Sequence, residues 1–287
     1  MEGKWKSWHS WSRSRQSLLE TCPREYYYQY VKAYDVEYND ILKITKRMQK
    51  NMNKIKFLPG NIVHGAIKRQ FDQLARGRDV SGPDHALRYV SRVINEIMEE
   101  PRRFIIEASN GKEISDEEIS RMEKEIEMQV KIFFNEFFDF YKDLEIITHE
   151  EYCNVVLDGY KFYLKPDLIT KSGNSTVYIT DWKTNSKYSD AIDDWQMKLY
   201  ILWALEEEVS DLDHLRAEVV FLDIGESKEF KTTQEELDTF KKELVTKSKE
   251  LYECIDSKSG GADFPKCEDE EVCISCGFKA YCQANQT

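Results

Sequence analysis

The residues of this chain best suited to chemistry are Asp181-Trp182-Lys183 and, fourteen positions before Asp181, Pro166-Asp167. In the apolar run from Thr176 to Lys183, successive side chains alternate faces, so Asp181 and Lys183 share a face two residues apart. In the run 160–167, Phe162 and Leu164 take one face and Asp167 the other. Two carboxylates and an ammonium then converge beside a core. That set suits phosphodiester hydrolysis. Hard oxygen ligands hold Mg2+ or Mn2+, which neutralises phosphate oxygens and lowers the pKa of an attacking water. Lys183 orients that water or stabilises the charge that develops. An isolated Asp-x-Lys triplet is common and usually a weak surface ion pair. Its place at a strand end, behind a second acidic strand, gives it weight.

His64 lies within an apolar helical pattern and is either a satisfied helix histidine or a third metal ligand that shifts preference toward Mn2+. Gln196 and Tyr200 stand one helical turn apart and share a face, although Tyr200 also reads as core beside Leu199 and Trp203. Cys273, Cys276 and Cys282 form C-x2-C-x5-C, a strong local signal for a metal or cluster. Three thiolates need a fourth ligand, and Cys22, Cys153, Cys254 and Cys267 are the candidates. Local chemistry favours Cys267, six residues upstream, in a self-contained zinc knuckle. Cys153 reads as a buried strand thiol.

These residues must be positioned by an α/β arrangement. The pattern predicts a helix over 10–34 broken near Cys22-Pro23, then loop or irregular helix over 35–58. Helices follow over 60–76, carrying His64, and over 84–99, and another starts at a capping signature, Ser115 to Glu118. Strands over 146–157 and 160–169 flank the hairpin signal Asp158-Gly159, and a third covers 176–183. A helix over 190–207, a strand over 217–223 and a helix over 233–254 precede the cysteine-rich tail. The expected organisation is one integrated domain: an N-terminal helical segment over 1–59, a helical region over 60–145, a sheet core over 146–255 and a cysteine cluster over 256–287. The part of the helical region over 78–144 reads as an insertion with no legible chemistry.

The chain has 287 residues, 41% of them hydrophobic, enough for a large core. No apolar run is long enough for a membrane span, and no signal-peptide core precedes Trp5, so a cytoplasmic location is expected. Seven cysteines, an odd number, disfavour a disulfide framework there. Net charge is −12, yet residues 1–69 carry 14 basic and 6 acidic side chains. That basic segment can meet phosphate locally because separated charges are screened over roughly 8–10 Å. From charge alone a solvated surface is the simpler reading. Trp5, Trp8 and Trp11 are base-stacking candidates, but such spacing more often marks packing.

Taken together the motifs resemble the RecB-like branch of the PD-(D/E)xK nuclease superfamily. Ser12-Arg13-Ser14 with Cys22-Pro23-Arg24 resembles its N-terminal cysteine motif, and Gly60 to His64 its first motif. Pro166-Asp167 resembles the second and Asp181-Trp182-Lys183-Thr184 the third. Gln196-x-x-x-Tyr200 is similar to the Q-x-x-x-Y motif, and Cys273, Cys276 and Cys282 to the C-terminal triplet of AddB-like and CRISPR-associated exonucleases. The resemblance implies a restriction-endonuclease-like mixed sheet flanked by helices, with a helical insertion. It implies that His64, Asp167, Asp181 and the Trp182 carbonyl bind Mn2+ or Mg2+ and that Lys183 is catalytic. Gln196 and Tyr200 would support the site or position DNA. Cys22 would replace Cys267 as fourth ligand, the thiols holding a 4Fe-4S cluster that joins the two chain ends.

Leu164 replaces a glycine frequent in the second motif, and Asp181 stands where CRISPR-associated relatives more often have Glu. No helicase P-loop is present, so any unwinding falls to a partner. The expected activity is a metal-dependent exonuclease on single-stranded DNA or DNA ends. Repair, recombination, CRISPR adaptation and mobile-element defence are all compatible, with a helicase or CRISPR adaptation proteins as partners. The alternatives are a non-catalytic DNA-end-binding or scaffold subunit, which has no need of Asp167, Asp181 and Lys183 together, and an interaction protein with Zn2+ at the cysteines.

Overall fold

The structure, a computed structural model, describes residues 10–32, 40–80, 82–185, 190–209, 211–257 and 260–285. Trp5, Trp8 and the first part of the expected loop over 35–58 lie outside the described residues. The chain opens with β1 (Ser10–Trp11), then α1 (Arg13–Thr21), whose cap is Ser12. Cys22 ends α1 and caps α2 (Pro23–Tyr26). The break falls there because Pro23 cannot donate within a helix yet suits a first turn. A π-helical turn (Tyr27–Val31) and α3 (Asp40–Gln49) follow, so much of the stretch expected as loop or irregular helix is helical.

Next come α4 (Leu58–Leu74), α5 (Gly82–Glu99), the short α6 (Pro101–Phe104) and α7 (Ile106–Ser109), and α8 (Asp116–Ile132). Ser115 caps α8 through the Glu118 N–H, as its sequence signature predicts. The helix runs on through a π turn (Phe133–Phe137) into α9 (Phe138–Tyr141). Val63, Ile67, Val90, Ile94, Ile126 and Val130 knit α4, α5 and α8 into one apolar layer.

The sheet region starts with β2 (Glu145–Thr148), β3 (Cys153–Leu157), β4 (Tyr160–Leu164), β5 (Leu168–Lys171) and β6 (Val177–Lys183). Then follow α10 (Asp190–Glu207), β7 (Leu215–Phe221), β8 (Glu226–Phe230) and α11 (Gln234–Asp256). The chain closes with α12 (Glu270–Ile274) and α13 (Lys279–Ala284). Five strands form a mixed sheet in the order β2-β5-β6-β7-β8, with β6 and β7 parallel and the other pairs antiparallel. The β6–β7 crossover runs through α10, the usual bridge between parallel strands. Helices cover both faces. Trp182, Val220 and Leu222 pack on the α4–α5–α8 layer, while Ile179, Val219 and Ala217 pack with α10 and α11. This is an α/β fold, a mixed sheet flanked by helices, consistent with the restriction-endonuclease-like arrangement expected.

Two expected strands divide. The run 146–157 becomes β2 and β3, and 160–169 becomes β4 and β5, because the chain bends at Glu150 and again at Pro166. The first halves and second halves then serve different sheets: β3 and β4 pair with β1 in a separate three-stranded sheet. The Asp158-Gly159 turn forms as expected, with φ of 48° and 82° at the two residues. Asp167 therefore sits in the break between β4 and β5 rather than on a continuous strand face. Strand β8 was not expected: Glu226-Ser227-Lys228-Glu229-Phe230 lacks apolar alternation, which fits a charged sheet edge. Trp11 is core, packed between Phe162 and Trp195, which removes it as a base-stacking residue. Among the described residues no helix is long and apolar enough to cross a membrane.

Candidate active site

The strand end of β6 supplies Asp181 and Lys183 on the face toward α10, and Trp182 on the face toward the helical layer. Trp182 is buried edge-on against Phe133 and Tyr141. That packing fixes the register of its backbone, whose two polar groups both enter the site. The Trp182 N–H donates to Asp167 Oδ2 at 2.8 Å, and its carbonyl faces His64 Nε2 at 3.1 Å. Helix α4 brings His64 here because Gly60, one turn earlier, has no side chain. A Cβ there would lie 3.0 Å from Thr184 Oγ1. The Gly60 to His64 spacing thus sets the helix close to the end of β6.

His64 Nδ1 stands 3.2 Å from Asp167 Oδ1 and 3.0 Å from Glu150 Oε1. Burial would lower the imidazole pKa, but the charges and hydrogen bonds of Asp167 and Glu150 raise it well above its ordinary value. Asp181 is buried. Its Oδ2 lies 2.7 Å from Lys183 Nζ, and its Oδ1 accepts from Gln196 Nε2 at 2.9 Å. Burial and the nearby Asp167 charge push its pKa up to about 7, against the opposing pull of Lys183 and His64. Gln196 also accepts from Lys183 Nζ at 3.1 Å and donates to the Tyr200 hydroxyl at 2.6 Å. Tyr200 in turn donates to the Lys165 carbonyl at 2.9 Å. The i, i+4 pair on α10 is therefore a clasp between β6 and the chain before Asp167.

His64, Asp167, Asp181, Lys183, Gln196 and Tyr200 thus belong to one connected network. Glu150 is the member that sequence reasoning missed. Its carboxylate bonds to His64 and to Lys165, and these partners hold its pKa down to about 2 although burial pulls the other way. Nothing in the spacing of Glu150 or its neighbour Glu151 marks it, because the bend after β2 brings it in. Among the described residues, His64, Glu150 and Asp167 are the one group with three ligand atoms all within 4.8 Å of one another. A nitrogen and carboxylate oxygens at that range fit a hard divalent ion.

Beside this network runs a cleft of about 1460 Å³. Arg13, Arg15, Lys54, Lys56, Lys161 and Lys165 line it, although the chain is acidic overall. The exposed rings of Phe57, Tyr152 and Tyr163 lie along the same walls.

The cysteines gather elsewhere. Cys22, Cys273, Cys276 and Cys282 line one cavity of about 200 Å³, and Cys267 lines it too. Cys153 is half-buried on β3 and Cys254 is exposed on α11. Arg24 ties this region together, donating its backbone N–H to the Pro265 carbonyl at 3.1 Å and its Nε to the Phe264 carbonyl at 2.7 Å. Tyr27 stacks on Phe264, and Tyr28 packs on Phe278 and Tyr281. Burial first, and the Glu25 carboxylate next, push the Cys276 thiol up. No three of these sulfurs fall within 4.8 Å of one another.

Comparison with curated proteins gives no match. A family model does match, from residue 10 to residue 283, and so spans β1, the network around His64 and β6, and the cysteine cavity. A mixed sheet with a carboxylate-and-lysine strand end, matched over nearly its whole length by that model, places this chain in the PD-(D/E)XK nuclease superfamily.

Proposed function

We propose that the chain is a metal-dependent DNA exonuclease acting on single-stranded DNA or DNA ends. The observation that carries this reading is the single hydrogen-bonded network linking His64, Asp167, Asp181 and Lys183 from α4, the β4–β5 break and β6. In this reading His64, Asp167, Asp181 and the Trp182 carbonyl hold Mn2+ or Mg2+. The ion, when bound, neutralises phosphate oxygens and lowers the pKa of a water. The chain's own residues do the positioning. Gln196 fixes Asp181 and Lys183 relative to each other, and Tyr200 fixes Gln196 against the Lys165 carbonyl. Lys183, half-buried at the strand end, presents an ammonium to the charge that develops on phosphate.

The basic, ring-lined cleft supports a single strand as substrate: its ammonium and guanidinium groups suit a phosphate backbone, and its rings suit unstacked bases. Cys22, Cys273, Cys276 and Cys282 would hold a 4Fe-4S cluster, a reading supported by the cavity these four thiols share. Its role there is to bind the N-terminal and C-terminal segments together. A helicase or CRISPR adaptation protein would supply unwound DNA in the cytoplasm.

End-labelled single- and double-stranded DNA incubated with Mn2+ and anaerobically purified protein tests the reading. Cleavage by the wild type and none by Lys183→Ala would support it, and the product ladder gives polarity. Brown, folded protein that binds DNA but cleaves neither substrate would favour a DNA-end-binding scaffold instead. The locking of both Asp181 oxygens onto Lys183 and Gln196 is the feature that suits that second reading.

A further inference from the structure

Glu150 adopts a left-handed backbone, with φ of 52°, which is unfavourable for a residue with a long side chain. The conformation is held from both sides. The Glu150 N–H donates to the Pro166 carbonyl at 2.9 Å. The preceding residue, His149, is buried, and its Nε2 bonds to Asp72 Oδ1 at 2.8 Å, while Asp72 also pairs with Lys68. Asp72 and His64 lie two turns apart on α4, so the helix that carries the histidine also anchors the bend that carries the glutamate. The result is a carboxylate with 9% side-chain exposure aimed at His64 Nδ1.

An ion with six ligands at about 2.1 Å places neighbouring donors about 3 Å apart and opposite donors about 4.2 Å apart. His64 Nδ1 stands 3.0 Å from Glu150 Oε1 and 3.2 Å from Asp167 Oδ1, the spacing of neighbouring donors, and the three ligand atoms lie within 4.8 Å of one another. Asp181, the carboxylate read above as a ligand, lies outside this three-atom group, its Oδ2 facing the Lys183 ammonium and its Oδ1 accepting from Gln196. The second Glu150 oxygen is paired with Lys165, whose side chain is 41% exposed and lies on the wall of the basic cleft.

We propose that Glu150 is a further ligand of the divalent cation, and that Lys165 is its countercharge in the metal-free protein, released toward the substrate phosphate when the cation takes the carboxylate. This rests on reading the site as a metal centre. Glu150 would then join His64, Asp167, Asp181 and the Trp182 carbonyl, and its carboxylate adds to the negative charge that offsets a divalent ion. The ammonium of Lys165 competes with the ion for one Glu150 oxygen, so removing it must favour the ion.

The experiment is Mn2+ titration of the full chain by calorimetry and by the free-ion electron paramagnetic resonance signal. It compares wild type, Glu150→Gln, Lys165→Met, the double variant and Asp167→Asn. Glu150→Gln should weaken Mn2+ binding roughly tenfold or more. Lys165→Met should tighten it severalfold in the wild-type background and leave it unchanged in Glu150→Gln, since the competition runs through that carboxylate. Lys165→Met should also weaken binding of a single-stranded oligonucleotide in the presence of Ca2+. Equal Mn2+ affinity in wild type and Glu150→Gln, with affinity lost in Asp167→Asn, would overturn the inference and leave the metal centre standing. No saturable Mn2+ binding by the wild type would overturn both. If Glu150→Gln does not fold, Glu150→Gly replaces it, because glycine accepts the left-handed backbone. An identical Lys165→Met shift in wild type and Glu150→Gly would likewise overturn the proposal.

Discussion

The carboxylate site and the cysteine cavity differ in where their residues come from and in what holds them. The first draws on α4, the bend after β2, the β4–β5 break, β6 and α10, and its members are locked by hydrogen bonds and ion pairs among themselves. The second draws three thiols from a ten-residue stretch, Cys273 to Cys282, and closes on Cys22 from the other end of the chain. Its thiols barely bond to one another; apolar rings around them carry the packing. In the metal-free carboxylate site, protons and ammonium groups occupy the places of positive charge, so its geometry exists before an ion arrives. Arg24, Lys266 and Lys279 also line the cysteine cavity, but its packing is mainly aromatic, so its stability should depend more on what fills it.

Four experiments press on that difference, the largest effect first. Lys183→Ala should lower the single-turnover cleavage rate by roughly 10²–10³, the scale of a lost donor to developing charge. Iron content and melting temperature should hardly move. A variant that cleaves at the wild-type rate would remove Lys183 from the chemistry. Cys22→Ala should do the reverse: lose iron and visible absorption, and lower the melting temperature by about 5–10 °C, given about 2–4 °C per kcal/mol in a chain of this size. Cys267→Ala is the control, expected to keep both. Iron retained in Cys22→Ala and lost in Cys267→Ala would restore the local knuckle.

The pH dependence separates the two regions further. His64 is raised well above its ordinary pKa and Asp181 is pushed up to about 7 in the metal-free protein. Both must shed protons to act as ligands, so Mn2+ affinity should rise from pH 6 to pH 8, up to about tenfold per pH unit for each proton released. Stability without metal has the opposite sign. A group whose pKa is raised on folding stabilises fully below its unfolded value, and that contribution is lost as pH rises through the folded one. EDTA-treated protein should therefore melt lower at pH 8 than at pH 6, and Mn2+ should narrow the gap. Flat Mn2+ affinity across this range would remove His64 and Asp181 from the ligand set. The smallest effect belongs to Tyr200→Phe, which deletes the bond to the Lys165 carbonyl and the one accepted from Gln196 Nε2. It should cost about 1 kcal/mol of stability in urea denaturation and a few-fold in cleavage rate. A much larger rate loss with stability intact would make Tyr200 a substrate contact.

Much of the candidate site was legible in the sequence because its parts are short and rigidly spaced. Asp181 and Lys183 share a face since β-strand geometry allows nothing else, and Gln196 and Tyr200 share one since helical geometry requires it. The long strands over 146–157 and 160–169 were misjudged because β-propensity does not show that a strand will bend at Glu150 or Pro166 and change sheets. Charged β8 was invisible to hydrophobic alternation, being fixed by pairing with β7 rather than by burial. The tryptophans near the start looked alike, and only packing separates Trp11 as core.

What the sequence determined by itself is local: the strand ending in Asp-Trp-Lys, the hairpin at Asp158-Gly159, the helix caps, the C-x2-C-x5-C spacing and a split between basic N-terminal and acidic remaining charge. Each follows from stereochemistry within about ten residues. Tertiary structure alone decided that Glu150 enters the site, that both Asp181 oxygens are already engaged, and that Cys22 and Cys267 border the same cavity. The physical reason is that hydrogen bonds and close charges act over a few ångströms. Sequence spacing fixes that distance only within one helix, strand or turn, and between elements it is set by the core that packs them.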